Sequence, residues 1–314
     1  MNTTIAPGRI VLGTMDYGTL IDTKDAFVIL DRFVEAGGVW LDTANCYSFW
    51  NDSSGVGGAS ERVLGEWFRL NPGGRESVRI ATKVRHNPLI PHSWPESAEG
   101  LSRGAIMAGI DGSLERLGID CVDMLWAHAE DRAVSLQETV EAFGELVSRG
   151  VAHRIGAANH AGWRVEQARS IAREQGLTPW SALQLRHSLV QPRPYGALPE
   201  AGHKLLTADD LDFARHEKLA VWCYTPLMQG GYTRPDKPFS EAYDHPGTAR
   251  VLAVLDDVAR DLDATRNQVV LAWMMRQGID PIVGVSRVEQ LDEAFGAEDI
   301  ELSDDHMARF AQAR

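Results

Sequence analysis

The feature that most constrains this chain is a regular alternation. Short apolar runs of strand length recur, and each is followed by a segment with helical periodicity. The runs are "RIVLGT" (9–14), "VWLDT" (39–43), "VRIATK" (78–83), "CVDMLWAH" (121–128), "AHRIGAAN" (152–159), "SALQL" (181–185), "LAVWCYTPL" (219–227) and "DPIVGV" (280–285). Between the first two, residues 24–38 place Ala26, Ile29, Leu30, Phe33 and Val34 on one face and close on two glycines, the pattern of an amphipathic helix with a glycine stop. Residues 60–70 read as a second helix, with Ser60 as N-cap. Helical patterns continue at 104–120, 136–150, 164–176 and 208–219. Residues 251–278 read as two helices broken at Asp263-Ala264-Thr265, and two more helices follow at 288–296 and 303–313.

Eight strands alternating with helices, without a domain break, specify an α/β chain. The predicted fold is a single (β/α)8 TIM barrel over residues 1–314, with extra helices near the C-terminus. A doubly wound open sheet would begin with a GxGxxG turn after its first strand. Here that turn is "GTMDYGTL" (13–20), whose spacing is wrong, and "GVGGAS" (55–60) follows a loop rather than a strand.

Charge and cysteine usage narrow the partners. With 44 acidic against 31 basic side chains the net charge is -13, which argues against a general nucleic-acid partner and against an anionic membrane surface. No apolar run approaches the ~18 residues of a membrane span. The start, "MNTTIAPGRIVLG", lacks the basic and apolar regions of a signal peptide. Cys46, Cys121 and Cys223 are widely spaced and form no CxxC pair, so neither a disulfide framework nor a zinc site is expected, and the default setting is the reducing cytoplasm. Nothing in the sequence sets an oligomeric state.

In a barrel, the C-terminal ends of all strands converge on one mouth, where active sites sit. The second strand ends at Asp42, the third at Lys83 and the fourth at His128, and Tyr47 lies on the loop just after Asp42. Each has an ordinary explanation alone: a turn aspartate, a surface lysine, a satisfied histidine. Four titratable groups of four types at three adjacent strand ends suit one chemistry, reversible carbonyl reduction. Hydride arriving at a carbonyl carbon leaves an alkoxide that needs a proton from a positioned acid. Tyr47 is the acid. Lys83 is expected to lower its pKa from ~10, Asp42 to hold Lys83 and keep it charged, and His128 to orient the carbonyl by a hydrogen bond.

At these residues the chain resembles the aldo-keto reductases. The resemblance rests on Asp42-Thr43-Ala44-Asn45-Cys46-Tyr47, on Thr82-Lys83, on His128-Ala129-Glu130-Asp131 and on "GASERVLGEWF" (58–68), and it spans nearly the whole chain. It implies an oxidoreductase that uses NADPH/NADP, with NADH possible, and no metal.

It also implies cofactor residues. Asn159 and Gln184 match the family's nicotinamide carboxamide partners, whereas Ala158 stands where the family has serine, which removes one hydroxyl. Tyr224 matches the residue that stacks on the nicotinamide. Thr225, Pro226 and Leu227, with Gln229 and Gly230, match the pyrophosphate loop, and Gly13, Thr14 and Met15 the nicotinamide ribose side. Ser286, Arg287 and Gln290 match positions for the adenosine 2′-phosphate, and Glu293 an adenine-side position.

On the substrate side, Trp50 and Trp94 lie in loops after strands and could wall an aromatic pocket, while Arg85, His86 and Arg186, just past strand ends, would suit a polar or sugar-like substrate. Trp126 is expected in the core. His86, His92, His153, His160 and His187 form no metal motif, and most read as loop or surface groups. Two functions fit: an enzyme acting on a small carbonyl or alcohol, or an NADPH-binding redox sensor or partner subunit with little turnover. An intact quartet favours the enzyme.

Overall fold

The computed structural model describes residues 10–194, 196, 198 and 202–314. Most of the start read as lacking a signal peptide, and the first residue of the first run, fall outside these residues. Eight parallel strands form a closed barrel in chain order: β1 (Val11–Gly13), β2 (Trp40–Asp42), β3 (Arg79–Val84), β4 (Met124–Ala127), β5 (Ile155–Ala158), β6 (Ala182–Arg186), β7 (Ala220–Tyr224) and β8 (Ile279–Gly284). The helices are α1 (Thr23–Glu35), α2 (Ala59–Leu70), α3 (Gly74–Ser77), α4 (Arg103–Leu117), α5 (Leu136–Ser148), α6 (Gly162–Glu174), α7 (Ala208–Glu217), α8 (Pro246–Asp261), α9 (Arg266–Met275), α10 (Val288–Phe295) and α11 (Asp304–Ala313). The extra helices near the C-terminus are present. Arg309 of α11 pairs with Asp261 of α8 at 2.8 Å, and Arg250 of α8 donates to the Ala313 carbonyl.

The helix ends follow local chemistry. Asp22, Ser102, Ser135, Thr207, Thr265 and Ser303 each cap a helix by accepting a backbone N–H. Thr265 and Gln268 form a reciprocal capping box, which is why the long pattern at 251–278 divides there. Ser60 does not cap α2. Gly58, at φ 99°, takes that position, and Ser60 lies in the first turn. Its hydroxyl is used inside the protein instead, as described below.

The barrel interior explains how the site is placed. Val11, Trp40, Ala81, Met124, Trp126, Ala182, Trp222 and Ile282 fill the lumen. Trp222 contacts both other indoles, with ring centroids 5.0 Å from Trp40 and 5.3 Å from Trp126. Side chains two apart on a strand share a face. One step beyond Trp40, Ala81, Trp126, Ala182 and Trp222 come Asp42, Lys83, His128, Gln184 and Tyr224. The tryptophan layer is therefore a floor, and the polar residues form the layer resting on it.

Gly156 of β5 makes room for that floor. A Cβ there would lie 2.5 Å from Cζ3 of Trp126 and 2.9 Å from the Ala182 carbonyl oxygen. Because Trp126 is held between strands, Gly156→Ala is expected to destabilise the fold by about 1–3 kcal/mol through overpacking. A lower urea midpoint with an unchanged slope would register it; an unchanged midpoint would show that the floor can shift.

Candidate active site

Lys83 is the centre of the site and is fully buried. An ammonium has three donors, and each finds a partner. Nζ donates to Oδ2 of Asp42 at 2.5 Å, to the hydroxyl of Tyr47 at 2.6 Å and to the carbonyl of Thr43 at 2.8 Å. The Tyr47 hydroxyl in turn faces Oδ2 of Asp42 at 3.4 Å. Asp42 receives a further bond on Oδ1, from Nε2 of Gln184 at 3.0 Å. Asp42 is thus a lysine partner at a strand end, not a turn residue.

Burial pushes the Asp42 carboxyl up and the Lys83 ammonium down, and their mutual attraction and hydrogen bond oppose both shifts. With the protons of the ammonium all matched to acceptors, the charged pair is the state consistent with this geometry. Tyr47 departs from the sequence expectation. Burial, and then the Asp42 carboxylate, hold its phenol well above the usual ~10. Lys83 is close enough to favour the phenolate, yet removal from water and a neighbouring carboxylate both favour the protonated phenol. The hydroxyl is therefore a proton carrier at neutral pH.

A second set of groups supports the first. The hydroxyls of Thr14, Ser60 and Thr43 form a buried chain, with Ser60 2.9 Å from Thr14 and 2.8 Å from Thr43, and Thr14 donates to the Asp42 carbonyl at 3.1 Å. Next to Lys83 on β3, Thr82 donates to the buried Glu61 at 2.6 Å, and Arg116 of α4 neutralises Glu61 at 2.8 Å. Glu99 accepts from Asn45 and from the backbone of Arg85, which ties the loop after β3 to the loop carrying Tyr47. The sequence pattern gives none of Thr43, Ser60, Glu61, Glu99 or Arg116 a role in this support. The Ser60-Glu61 stretch is the one available signal.

His128 stands one residue past β4, edge-on to Tyr47 with ring centroids 5.9 Å apart and edge-on to His86 at 4.7 Å. Burial first, then the nearby His86 and Lys83, hold its imidazole well below the usual range, so it is neutral at pH 7. His86 is likewise depressed, to about 3, by burial and by Arg85. The aromatic residues singled out in the sequence form a chain of ring contacts. Trp94 packs on His86 at 5.8 Å and on Phe49 at 6.0 Å, and Phe49 contacts the half-exposed Trp50 at 5.0 Å. Phe49 is the member that the sequence does not point to. Arg85 is part-buried: it donates to the Glu130 carbonyl at 2.9 Å and to His86. Arg186 is buried beside His203, at 3.2 Å.

Trp126 lies in the core, as expected. His160 and His187 lie in loops, as read, but are buried rather than on the surface. His160 is buried against Trp180 with Nδ1 2.8 Å from the Ala158 carbonyl, and His187 stacks on Trp273 at 5.4 Å. Burial lowers them to about 4 and about 3.

The residues expected to meet a dinucleotide sit along the opposite rim. Tyr224 ends β7, and its hydroxyl donates to Oδ1 of Asn159 at 2.6 Å; Nδ2 of Asn159 donates to the His128 carbonyl at 3.1 Å. Asn159, at φ 54°, therefore links three strand ends. Beyond Tyr224, the loop carries positive φ at Thr225, Met228, Gln229 and Gly230, with the N–H groups of Met228 and Gly230 donating back to the Thr225 and Leu227 carbonyls. Ser188 and Tyr232 pin this loop: the Ser188 hydroxyl donates to the Pro226 carbonyl at 2.5 Å and contacts the Tyr232 hydroxyl at 2.7 Å. Gly13 and Gly284 end β1 and β8 side by side, and a Cβ on Gly284 would meet nothing nearer than 4.0 Å. Met15 is part-exposed on the same rim. Ser286 and Arg287 are exposed at the start of α10, where Gln290 accepts from the backbone and hydroxyl of Ser286. Glu293 is occupied elsewhere. Its carboxylate accepts from Thr265 and Asn267 and fastens α10 to α9.

A closed parallel barrel with these groups at its mouth defines an oxidoreductase of the (β/α)8 class. The chain belongs to the aldo/keto reductase family, whose model matches residues 9–314. It is 30% identical to the uncharacterized oxidoreductase YrpG of Bacillus subtilis over 94% of this chain and 88% of that protein. It is also 30% identical to the aryl-alcohol dehydrogenase GME11368 of Pestalotiopsis microspora, over 90% of this chain and 70% of that protein. Identity to the norsolorinic acid reductase stcV of Emericella nidulans is 26%, over 95% and 76%. Carbonyl reduction is the general reaction that this family and these relatives support, and the family generally uses NAD(P)H. Among the described residues, no helix is long and apolar enough to cross a membrane.

Proposed function

We propose that this protein reduces aromatic aldehydes or ketones to alcohols with NADPH, NADH being the poorer cofactor, and that residues 1–314 work as one barrel domain in the cytoplasm. The observation that carries the reading is the saturated Lys83, which joins Asp42 to the hydroxyl of Tyr47. Bound NADPH supplies the hydride. Tyr47 delivers the proton to the oxygen as charge develops on it, and Lys83 stabilises the phenolate left behind. Asp42 positions Lys83 and keeps it charged. Gln184 steadies Asp42 through Nε2. His128, neutral, donates from Nε2 to the carbonyl oxygen.

The rim described above fits a dinucleotide. Tyr224 would offer a ring face to the nicotinamide, and Asn159 and Gln184 would serve the carboxamide. Gly13, Thr14 and Met15 would border the ribose. Thr225, Pro226, Leu227, Gln229 and Gly230 would hold the pyrophosphate, and Ser286, Arg287 and Gln290, at a helix N-terminus, would take the 2′-phosphate. Phe49, Trp50, Trp94 and His86 form a contact chain beside His128, which supports an aromatic substrate, as does the name of one relative, the aryl-alcohol dehydrogenase.

Loss of NADPH absorbance with matched aromatic and aliphatic aldehydes and ketones tests the reading. Turnover of aromatic members at higher kcat/KM is expected. No turnover of any carbonyl compound would sink the enzyme reading, and a preference for aliphatic ones would sink the substrate assignment. A second expectation concerns the phosphate. Arg287→Ala should raise the Kd for NADPH roughly ten- to hundredfold, the loss of one charge-assisted contact of ~1.5–3 kcal/mol, and leave that for NADH nearly unchanged. Fluorescence titration with both cofactors reads the difference; equal effects would remove Arg287 from the 2′-phosphate.

A further inference from the structure

The chemistry proposed for His128 makes a demand that the quartet does not meet by itself. To donate to a carbonyl oxygen, His128 must carry its proton on Nε2. A neutral imidazole has one proton, and which nitrogen holds it is set by the partner of the other. Nδ1 must therefore accept a hydrogen bond. Asp42, Tyr47 and Lys83 are engaged with one another and do not supply it.

The atom that faces Nδ1 is Sγ of Cys46, at 3.6 Å. Cys46 is the residue before Tyr47, is 2% exposed, and sits on the loop held by Glu99 through Asn45. Burial raises its thiol above the usual range, so the sulfur keeps its hydrogen. A thiol is a donor, though a weak one.

We infer that Cys46 is a positioning residue of the reaction: its S–H donates to Nδ1 of His128 and thereby holds the imidazole as the Nε2–H tautomer that faces the substrate carbonyl. The opposite arrangement, Nδ1–H donating to sulfur, leaves a lone pair on Nε2 directed at the carbonyl oxygen, which repels it. The inference rests on the carbonyl-orienting role given to His128. It adds that the backbone segment that delivers the acid Tyr47 also delivers the donor that sets the state of His128. In the sequence, Cys46 speaks only against disulfides and metals.

The test reads tautomer and rate separately. Full-length wild type, Cys46→Ser and Cys46→Ala are labelled with 15N-histidine and saturated with NADP. His128 signals are identified by their loss in His128→Gln. Wild type and Cys46→Ser are expected to show a protonated Nε2 and an unprotonated Nδ1, because a hydroxyl replaces the thiol as donor. In Cys46→Ala the signals move toward the Nδ1–H form. Loss of one modest hydrogen bond predicts a fall in kcat of about three- to tenfold for Cys46→Ala, with Kd for NADPH unchanged, and substantial recovery in Cys46→Ser. A wild-type His128 protonated on Nδ1 would overturn the inference. So would a Cys46→Ala variant with unaltered tautomer, or with an altered tautomer and wild-type kcat. If wild type shows the Nε2–H form but reduces no carbonyl compound, the thiol contact stands and the reaction assignment fails, so the two ideas fail separately.

Discussion

Tyr47→Phe is expected to lower the single-turnover rate of carbonyl reduction by about 10² to 10⁴-fold, the usual worth of a positioned proton donor. The ring stays, and with it the face against which Lys83 lies 4.5 Å from the centroid, so NADPH affinity should change little. The pH dependence follows from the sign of the Tyr47 shift. Reduction needs the protonated phenol. Burial and the Asp42 carboxylate hold its pKa above the usual value, so the active form persists through neutral and mildly alkaline pH. Wild-type reduction should show no Tyr47-dependent fall below about pH 10. Alcohol oxidation needs the phenolate and should rise with pH over the same range. Near wild-type reduction by Tyr47→Phe, or a fall in reduction centred near pH 7 that vanishes in this variant, would remove Tyr47 from the acid role.

The second large effect belongs to the pair beneath Tyr47. Asp42→Asn and Lys83→Met should each slow single-turnover reduction by at least about tenfold, and the double variant should lie within about threefold of Lys83→Met alone. Residues that act as one unit are not additive, and here Asp42 reaches Tyr47 chiefly by holding Lys83 at 2.5 Å. Removing the lysine charge leaves Tyr47 beside an uncompensated Asp42 carboxylate at 3.4 Å. Its pKa should climb further, and the rise of alcohol oxidation with pH should shift upward. Fully multiplicative losses with an unmoved profile would mean that the two act independently. Because each single change leaves a buried charge without its partner, folding is checked by denaturation alongside the rates.

Much of this is legible in the chain. Alternating runs of strand and helix length announce the barrel because a parallel sheet must be covered by its crossover helices. Strand period, and the rule that sites lie at strand ends, then bring Asp42, Lys83 and His128 to one mouth. What escapes is set by contacts between segments far apart in sequence. Ser60 has the sequence signature of an N-cap, yet the approach of β1 and β2 turns its hydroxyl toward Thr14 and Thr43. His160 and His187 lie in loops, yet Trp180 and Trp273 cover them and keep them from the surface. Phe49 joins the aromatic wall only because the loop after β3 places Trp94 against it.

The sequence by itself determined the fold class and which titratable groups stand at the strand ends, since each follows from local pattern and from the period of two along a strand. Only the tertiary structure decided the electrical state of those groups. The ordinary pKa of a side chain belongs to that group in water. The direction in which Tyr47, Lys83 and His128 depart from it depends on how completely the barrel removes water and on which distant side chains come within reach. That is why the chain alone suggests a tyrosine with a lowered pKa, and the folded barrel holds one that is raised, beside a carboxylate and above a floor of three tryptophans.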